Sequence, residues 1–278
     1  MKRILIQRDC KGITMAVAEH QRLLEYDTEQ ESERRMIGNI YLGRVANVLP
    51  GMQAAFVDIG KGKNAYLYRD ELLPAHLEQK PKQKPSIERL VSQGDELLVQ
   101  VTKEGIGKKG PRITTQISLP GRWVVYMPEA DYVAVSRKIA SEQEKMRLKL
   151  IGESLRMNRE GLILRTVSEG ESQESLEQDV RQLRDKWDRI NKQAMHAHAP
   201  SELYSEPDLA LRTARDLFSS DIDEFVCNDP ETVDQVKQFV NKNHPALVDR
   251  IYLYESNKPL FEHYGLQDEI KQLFQNRQ

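Results

Sequence analysis

Residues 38–72, GNIYLGRVANVLPGMQAAFVDIGKGKNAYLYRDEL, decide the fold. Apolar and polar residues alternate there in short runs, broken by Pro50-Gly51 and by Gly60-Lys61-Gly62. A period of two with turn residues between the runs predicts three antiparallel strands, over 38–48, 52–59 and 64–68. ELLVQVTK (96–103) and RITTQIS (112–118) predict two more. Five short strands curled on one another make a small barrel of the oligonucleotide-binding kind. Phe56 and Tyr66 fall on neighbouring strands, with Tyr41 and Tyr68 close by and Lys61, Lys63 and Lys103 crowding the same region. Rings among lysines suit a single-stranded nucleic acid, because bases stack on aromatic faces while ammonium groups follow the phosphates. Any one of these rings reads equally well as barrel core. The ensemble points to RNA.

At 278 residues, 39% apolar and with a net charge of −2, the chain has the length and composition of two or three small globular domains. The global balance hides an asymmetry: residues 38–118 hold 12 Lys and Arg against 8 Asp and Glu, while the rest holds 29 against 35. Positive charge is thus concentrated where the barrel is expected, as a phosphate-binding surface requires. Cys10 and Cys227 lie far apart and form no CxxC, which argues against a disulfide framework or a thiolate zinc site. No apolar run approaches 18 residues and MKRILIQRD has no signal-peptide core, so the expected compartment is the cytoplasm, with no membrane partner.

Working outward from the barrel, KRILIQ (2–7), ITMAVAE (13–19) and RLLEYD (22–27) predict three hairpin-linked strands, and 28–36 a charged connector. Within the barrel, 78–89 is a basic Lys/Pro loop containing Lys80, Pro81, Lys82, Lys84 and Pro85. After it, 121–128 and 132–140 are strand-like. Ser141 and Glu144 have capping-box spacing for a helix over 142–156, and GLILRTV (161–167) returns as a strand. Leu176, Val180, Leu183, Trp187 and Ile190 recur at helical spacing in a helix over 172–194. The tail predicts helix 207–218, strand 223–227, helix 230–241, strand 249–254 and helix 259–275, with Pro207, Pro230 and Pro259 at helix starts. Joined to the first 27 residues, the tail gives the order βββαβαβα, that of a ribonuclease H-like domain. The barrel and an α+β module would be inserted after its third strand.

GNIYLGRV, the AAFVDIGxxxxAYL run and LILRT, in that order, resemble the ribonuclease E/G family over essentially the whole chain. The resemblance implies a ribonuclease H-like domain (1–36 and 201–278), an S1 RNA-binding domain of OB fold (37–119) and a 5′-sensor domain (120–200). It further implies that Phe56 and Tyr66 stack on RNA, Tyr66 keeping the π face of a commoner Phe, and that Lys109 of GKKG is a basic contact. Arg165 and Thr166 would grip a 5′-monophosphate, Val125 would pack on the terminal base, and Arg137 would lie near that pocket. A permanently charged guanidinium fork and a hydroxyl donor suit a terminal phosphate. The implied partner is single-stranded RNA, preferably 5′-monophosphorylated, in mRNA decay and rRNA processing, and a homo-oligomer stays open for the full-length protein.

In that family, cleavage belongs to a magnesium-dependent DNase I-like subdomain marked by a DVNTG-like motif, with a CPxC farther on. Neither motif occurs in these 278 residues. The expectation is therefore an RNA-recognition portion with no catalytic or metal-binding residue and no cofactor of its own, Mg2+ serving the complete enzyme. Two other readings stay open. One is a stand-alone RNA-binding adaptor. The other is a self-sufficient ribonuclease H-like nuclease whose Asp9, Asp216 and Asp223 converge on two metal ions. His196 and His198 (MHAHAP) read as part of a solvated linker, because no third ligand has an obvious spacing.

Overall fold

The structure is a computed structural model that describes residues 1–30, 35–73 and 84–275. Lys80, Pro81 and Lys82 of the basic loop lie outside the described residues. The chain divides into two units, Met1–Arg35 with Pro207–Gln278, and Met36–Glu206. In the first unit, β1 (Lys2–Asp9), β2 (Gly12–Glu19) and β3 (Arg22–Gln30) form an antiparallel meander. β3 runs three residues into the expected connector. Its Glu29 accepts the amide of Leu209 at 2.6 Å and Nη2 of Arg212 at 3.2 Å, so a charged residue is satisfied inside the strand.

The second unit opens with β4 (Ile40–Leu49), β5 (Ala54–Asp58), β6 (Ala65–Tyr68), β7 (Glu96–Lys103) and β8 (Arg112–Thr114). They pair in the order β4-β5-β6-β8-β7, and β4 pairs back onto β7 to close a five-stranded barrel. Alternation sends Val45, Ala55, Val57, Ala65, Leu67, Val99, Val101 and Ile113 inward as its core. The expected second strand begins late, because Pro50–Met52 forms a 3-10 turn started by a residue with no N–H to give a ladder. The expected fifth strand ends early. The Gln100 side chain accepts the Ser118 amide at 2.8 Å and donates to the Ser118 carbonyl at 2.9 Å, drawing residues 115–118 off the barrel.

Next come β9 (Leu119–Pro120), β10 (Val124–Met127), β11 (Val133–Val135), α1 (Glu142–Leu155), β12 (Gly161–Leu164) and α2 (Gln173–His196). They make a four-stranded sheet, β11-β12-β10-β9, with both helices on one face. Leu176, Val180, Leu183 and Ile190 are buried there at their helical spacing, with Trp187 half-buried beside them. The strands are shorter than the runs that predicted them, since residues 128–132 and 136–141 turn between elements. Residues 201–204 form an unexpected strand, β13 (Ser201–Tyr204), paired antiparallel to β4 in this unit.

Returning to the first unit, α3 (Leu209–Asp216), β14 (Glu224–Cys227), α4 (Pro230–Asn243), β15 (Ile251–Leu253), α5 (Leu260–His263) and α6 (Gln267–Gln275) complete a sheet ordered β15-β14-β1-β2-β3. β1, β14 and β15 run parallel. α3 and α4 cover one face, and residues of α5 and α6 pack on the other. The single helix expected over 259–275 is two, broken at Gly265 with φ +72°. Of the three prolines only Pro230 sits in a first turn; Pro207 precedes the Asp208 cap and Pro259 is itself the cap position of α5.

Candidate nucleic-acid interface

On the barrel, Phe56 and Tyr66 are cross-strand partners, both half-buried, with ring centroids 6.1 Å apart and planes at 68°. Each alternates with a fully buried neighbour, Val57 and Leu67, so both rings point outward. Tyr66 pairs with Arg112 of β8, Arg112 with Lys103 of β7, and Phe56 with Asn47 of β4. The outer surface therefore carries one continuous row: Asn47, Phe56, Tyr66, Arg112, Lys103. Lys103 was expected in the region. Arg112 and Asn47 were missed, although Ile113 as a core residue already implied an outward Arg112.

Lys109 is exposed on the loop that leads into β8, and its amide closes a turn onto the Ile106 carbonyl at 3.0 Å. That loop is tied to the β5–β6 turn by Lys63, whose Nζ donates to the Gly107 carbonyl at 2.5 Å. Gly110 makes the docking possible: a Cβ there would lie 2.0 Å from the Asn64 carbonyl oxygen. Two sequence candidates drop out of the surface. Tyr41 is fully buried, with Asn39 Nδ2 at 3.2 Å from its hydroxyl, and belongs to the core. Lys61 pairs with Glu202 of the unexpected β13 at 2.8 Å, and this partner raises its pKa. Its charge is spent within the protein.

In the α+β sheet, Val124, Tyr126, Leu162 and Leu164 face the helices. Val125, Ile163 and Ala134 are register partners across β10, β12 and β11 and are half-exposed on the opposite face. Two residues beyond Ile163, the middle member of this row, the chain leaves β12 through Arg165 and Thr166. The structure takes these two out of the strand, and Thr166 begins a short 3-10 turn. Thr166 Oγ1 lies 2.8 Å from Ser136 Oγ, and the Ser136 amide donates to the Leu164 carbonyl at 2.9 Å. Arg137, exposed, follows Ser136 directly. Val125, Arg165, Thr166 and Arg137 are thus gathered around one edge of one sheet. Ser136 joins them without any signal in the sequence beyond its place beside Arg137.

Arg165 Nη1 donates to the carbonyls of Gly121 (2.6 Å) and Arg122 (3.3 Å), so one arm of the guanidinium fork is fixed by main chain. That main chain is held in turn by Asp179 on α2. Its buried carboxylate accepts the amides of Arg122, Trp123 and Val124 at 3.2, 2.8 and 3.0 Å. Burial pushes the Asp179 carboxyl upward, against three amide donors and the charge of Arg165. Gly121 leaves room for this carboxylate, since a Cβ would sit 2.5 Å from its Oδ2.

On the other side of Thr166, Glu144 accepts the Gly170 amide at 2.8 Å and pairs with Arg147, which also donates to the Glu171 carbonyl at 3.0 Å. Only half of the expected capping box forms. Ser141 accepts the Glu144 amide, but the Glu144 carboxylate is turned to Arg147 and Gly170. These partners, Arg147 first, lower the Glu144 pKa from 4.5 to about 2. A depressed carboxylate contributes stability above its unfolded pKa and loses it as pH falls through the folded one. Glu144→Gln is therefore expected to lower the thermal stability of the unit at pH 6, and the difference from the parent should vanish as pH is taken from 4.5 down to about 2. A difference independent of pH over that window would show that the carboxylate charge is not what holds the loop.

In the first unit Asp9 and Asp223, two of the three carboxylates of the alternative nuclease reading, do not converge. Asp223 accepts the Lys2 amide at the start of β1 at 2.6 Å, whereas Asp9 ends the same strand. Seven residue steps at about 3.3 Å separate them by roughly 23 Å, too far to share metal ions. Asp216 pairs with Arg215. His196 is the last residue of α2 and not part of a linker. Among the described residues no group of three His, Cys, Asp or Glu side chains is placed to hold a metal ion.

A model of the Ribonuclease E/G family matches residues 118–278. Ribonuclease G of Haemophilus influenzae is 38% identical over 269 residues, which cover 95% of this chain and 55% of that protein. Ribonuclease G of Escherichia coli (strain K12) is 36% identical over 260 residues, 92% of this chain and 53% of its own length. Ribonuclease E of H. influenzae is 32% identical over 280 residues, 99% of this chain and 30% of its own. The chain thus spans about half the length of the ribonuclease G relatives it matches.

Proposed function

Because the chain belongs to the ribonuclease E/G family, we propose that these residues are the RNA-recognition portion of a magnesium-dependent, single-strand-specific endoribonuclease acting in mRNA decay and rRNA processing in the cytoplasm. The five-stranded barrel holds the single strand as an S1 domain, with bases on Phe56 and Tyr66 and Lys109 on phosphate. The 120–200 module senses the 5′ end. Arg165, Thr166 and Arg137 take the terminal monophosphate, and the base beyond it lies on Val125. The single observation that carries this reading is the outward, mutually contacting ring pair of Phe56 and Tyr66 on a closed barrel. Stacking on two such rings is sequence-tolerant, as a general single-strand binder requires.

The gathering of Arg165, Thr166, Ser136 and Arg137 where β12 and β11 end, beside a half-exposed apolar row, supports the sensor. The strand order 3-2-1-4-5 of the first unit, with β2 alone antiparallel to both neighbours, supports a ribonuclease H-like host domain made of 1–35 and 207–278, residues 201–206 going with the barrel unit through β13. Magnesium belongs to the complete enzyme. No hydrolytic step is assigned to these residues.

The test is fluorescence anisotropy with a labelled 10–15-nucleotide single-stranded RNA carrying either a 5′-monophosphate or a 5′-hydroxyl. The monophosphate should bind about 10-fold more tightly, the worth of a charge-assisted contact of ~1.5 kcal/mol. Arg165→Ala should abolish that preference and leave the 5′-hydroxyl affinity unchanged. Equal binding of both ends by the parent would remove the sensor. No binding of either would remove the barrel reading as well.

A further inference from the structure

We propose that Arg112 and Lys103 form a two-cation phosphate clamp at the end of the aromatic row, gripping the phosphodiester next to the base stacked on Tyr66; this rests on the barrel reading above. The two side chains are cross-strand partners on β8 and β7, placed opposite each other by a shift in register between Val101 and Lys103. Without that irregularity, alternation from the buried Val101 would bring a different residue to this place. Bulges that re-aim one side chain are concentrated at binding surfaces. A second register shift, between Val45 and Asn47, lies at the other end of the same row.

Two like charges directly opposite on neighbouring strands destabilise a sheet, so the pair needs an outside reason. Among the described residues the guanidinium has one carboxylate contact, Glu71 Oε1 at 3.3 Å from Nη2. Its Nε is buried and has no hydrogen-bond partner among the described residues. Lys103 is exposed, and no ion pair is found for it among the described residues. An anionic oxygen between the two would turn the repulsion into a charge-assisted contact. The ligand that fits is a polynucleotide phosphodiester. Tyr66 is the register neighbour of Arg112, and the spacing between adjacent strands, about 4.8 Å, brings a base on that ring within reach of its own phosphate at the clamp.

The experiment uses the full chain and a labelled 5′-hydroxyl single-stranded RNA, so that the sensor contributes nothing. Binding is measured across KCl concentrations from 50 to 300 mM. Arg112→Gln and Lys103→Gln should each reduce the slope of log affinity against log salt, and together reduce it by about 0.7, the value for one phosphate contact on a single strand. Taken from equal affinity near 1 M salt, that is about an eightfold loss at 50 mM. Lys103→Gln should melt no lower than the parent, because it relieves the like-charge pair. Loss of affinity without loss of stability separates a binding role from a structural one, and Lys103→Gln decides alone if Arg112→Gln fails to fold. Unchanged affinity and slope in the variants, with Phe56→Ala still weakened, would overturn the clamp and leave the stacking face. An unaffected Phe56→Ala would overturn the barrel reading and the clamp with it.

Discussion

Replacing Phe56 and Tyr66 together by alanine is expected to weaken binding of single-stranded RNA by roughly 30- to 700-fold. Base–aromatic stacking is worth about 1–3 kcal/mol per base, so two independent rings would give about 2–6 kcal/mol. These rings touch, at 6.1 Å between centroids, and contacting residues are not additive. The expected loss is therefore about 2–4 kcal/mol, short of the upper sum. Both rings are half-exposed on the outer face, and the core beneath them is made by Val57, Leu67 and Ile113. The variant should fold, with its barrel circular dichroism unchanged. Phe56→Tyr and Tyr66→Phe keep a π face and should bind within about threefold of the parent. Equal loss in the conservative and the alanine variants would mean that something other than ring faces carries the affinity.

Asp179→Ala should be the most damaging single change to the α+β module, at about 3–5 kcal/mol, or a fall in melting temperature on the order of 10 °C. The carboxylate is the acceptor for three consecutive amides, of Arg122, Trp123 and Val124. Removing it leaves buried donors unmet at about 1–3 kcal/mol each, partly relieved by water entering the space. If Arg165 takes the 5′-phosphate as proposed above, the effect should reach the 5′ end as well, because the Gly121 and Arg122 carbonyls that fix Arg165 lie on the same segment. Asp179→Asn retains one acceptor oxygen and should fall between the two. The measurements are thermal melting and the ratio of affinities for 5′-monophosphate and 5′-hydroxyl RNA. A folded Asp179→Ala with the parent's preference would show that Arg165 is positioned by something else. Asp179 acts through Arg165, and no ligand contact is assigned to it.

Much of this was legible because local chemistry and tertiary structure agree. The alternation over 38–72 puts Phe56 and Val57, and likewise Tyr66 and Leu67, on opposite faces whatever the strands pair with, since the side-chain period of a strand is two. Leu176, Val180, Leu183 and Ile190 declare the buried face of α2 in the same way. Ser141 accepts the Glu144 amide and begins α1, as its spacing in the sequence predicts.

What sequence could not supply is whatever depends on a partner distant along the chain. Tyr41 and Phe56 are both strand aromatics with lysines nearby, yet one is core and the other surface, because only the barrel's closure decides which side of β4 is inside. Lys61 reads as a phosphate-binding cation until β13 brings Glu202 to it from 141 positions away. The nuclease reading of Asp9 and Asp223 fails for the same reason: a sequence orders carboxylates, and only strand pairing sets them at opposite ends of β1. Composition, period and caps are properties of neighbours within a few residues, and those the sequence determined. Register, closure and the satisfaction of buried charge are properties of residues that meet only on folding, so the tertiary structure alone decided them.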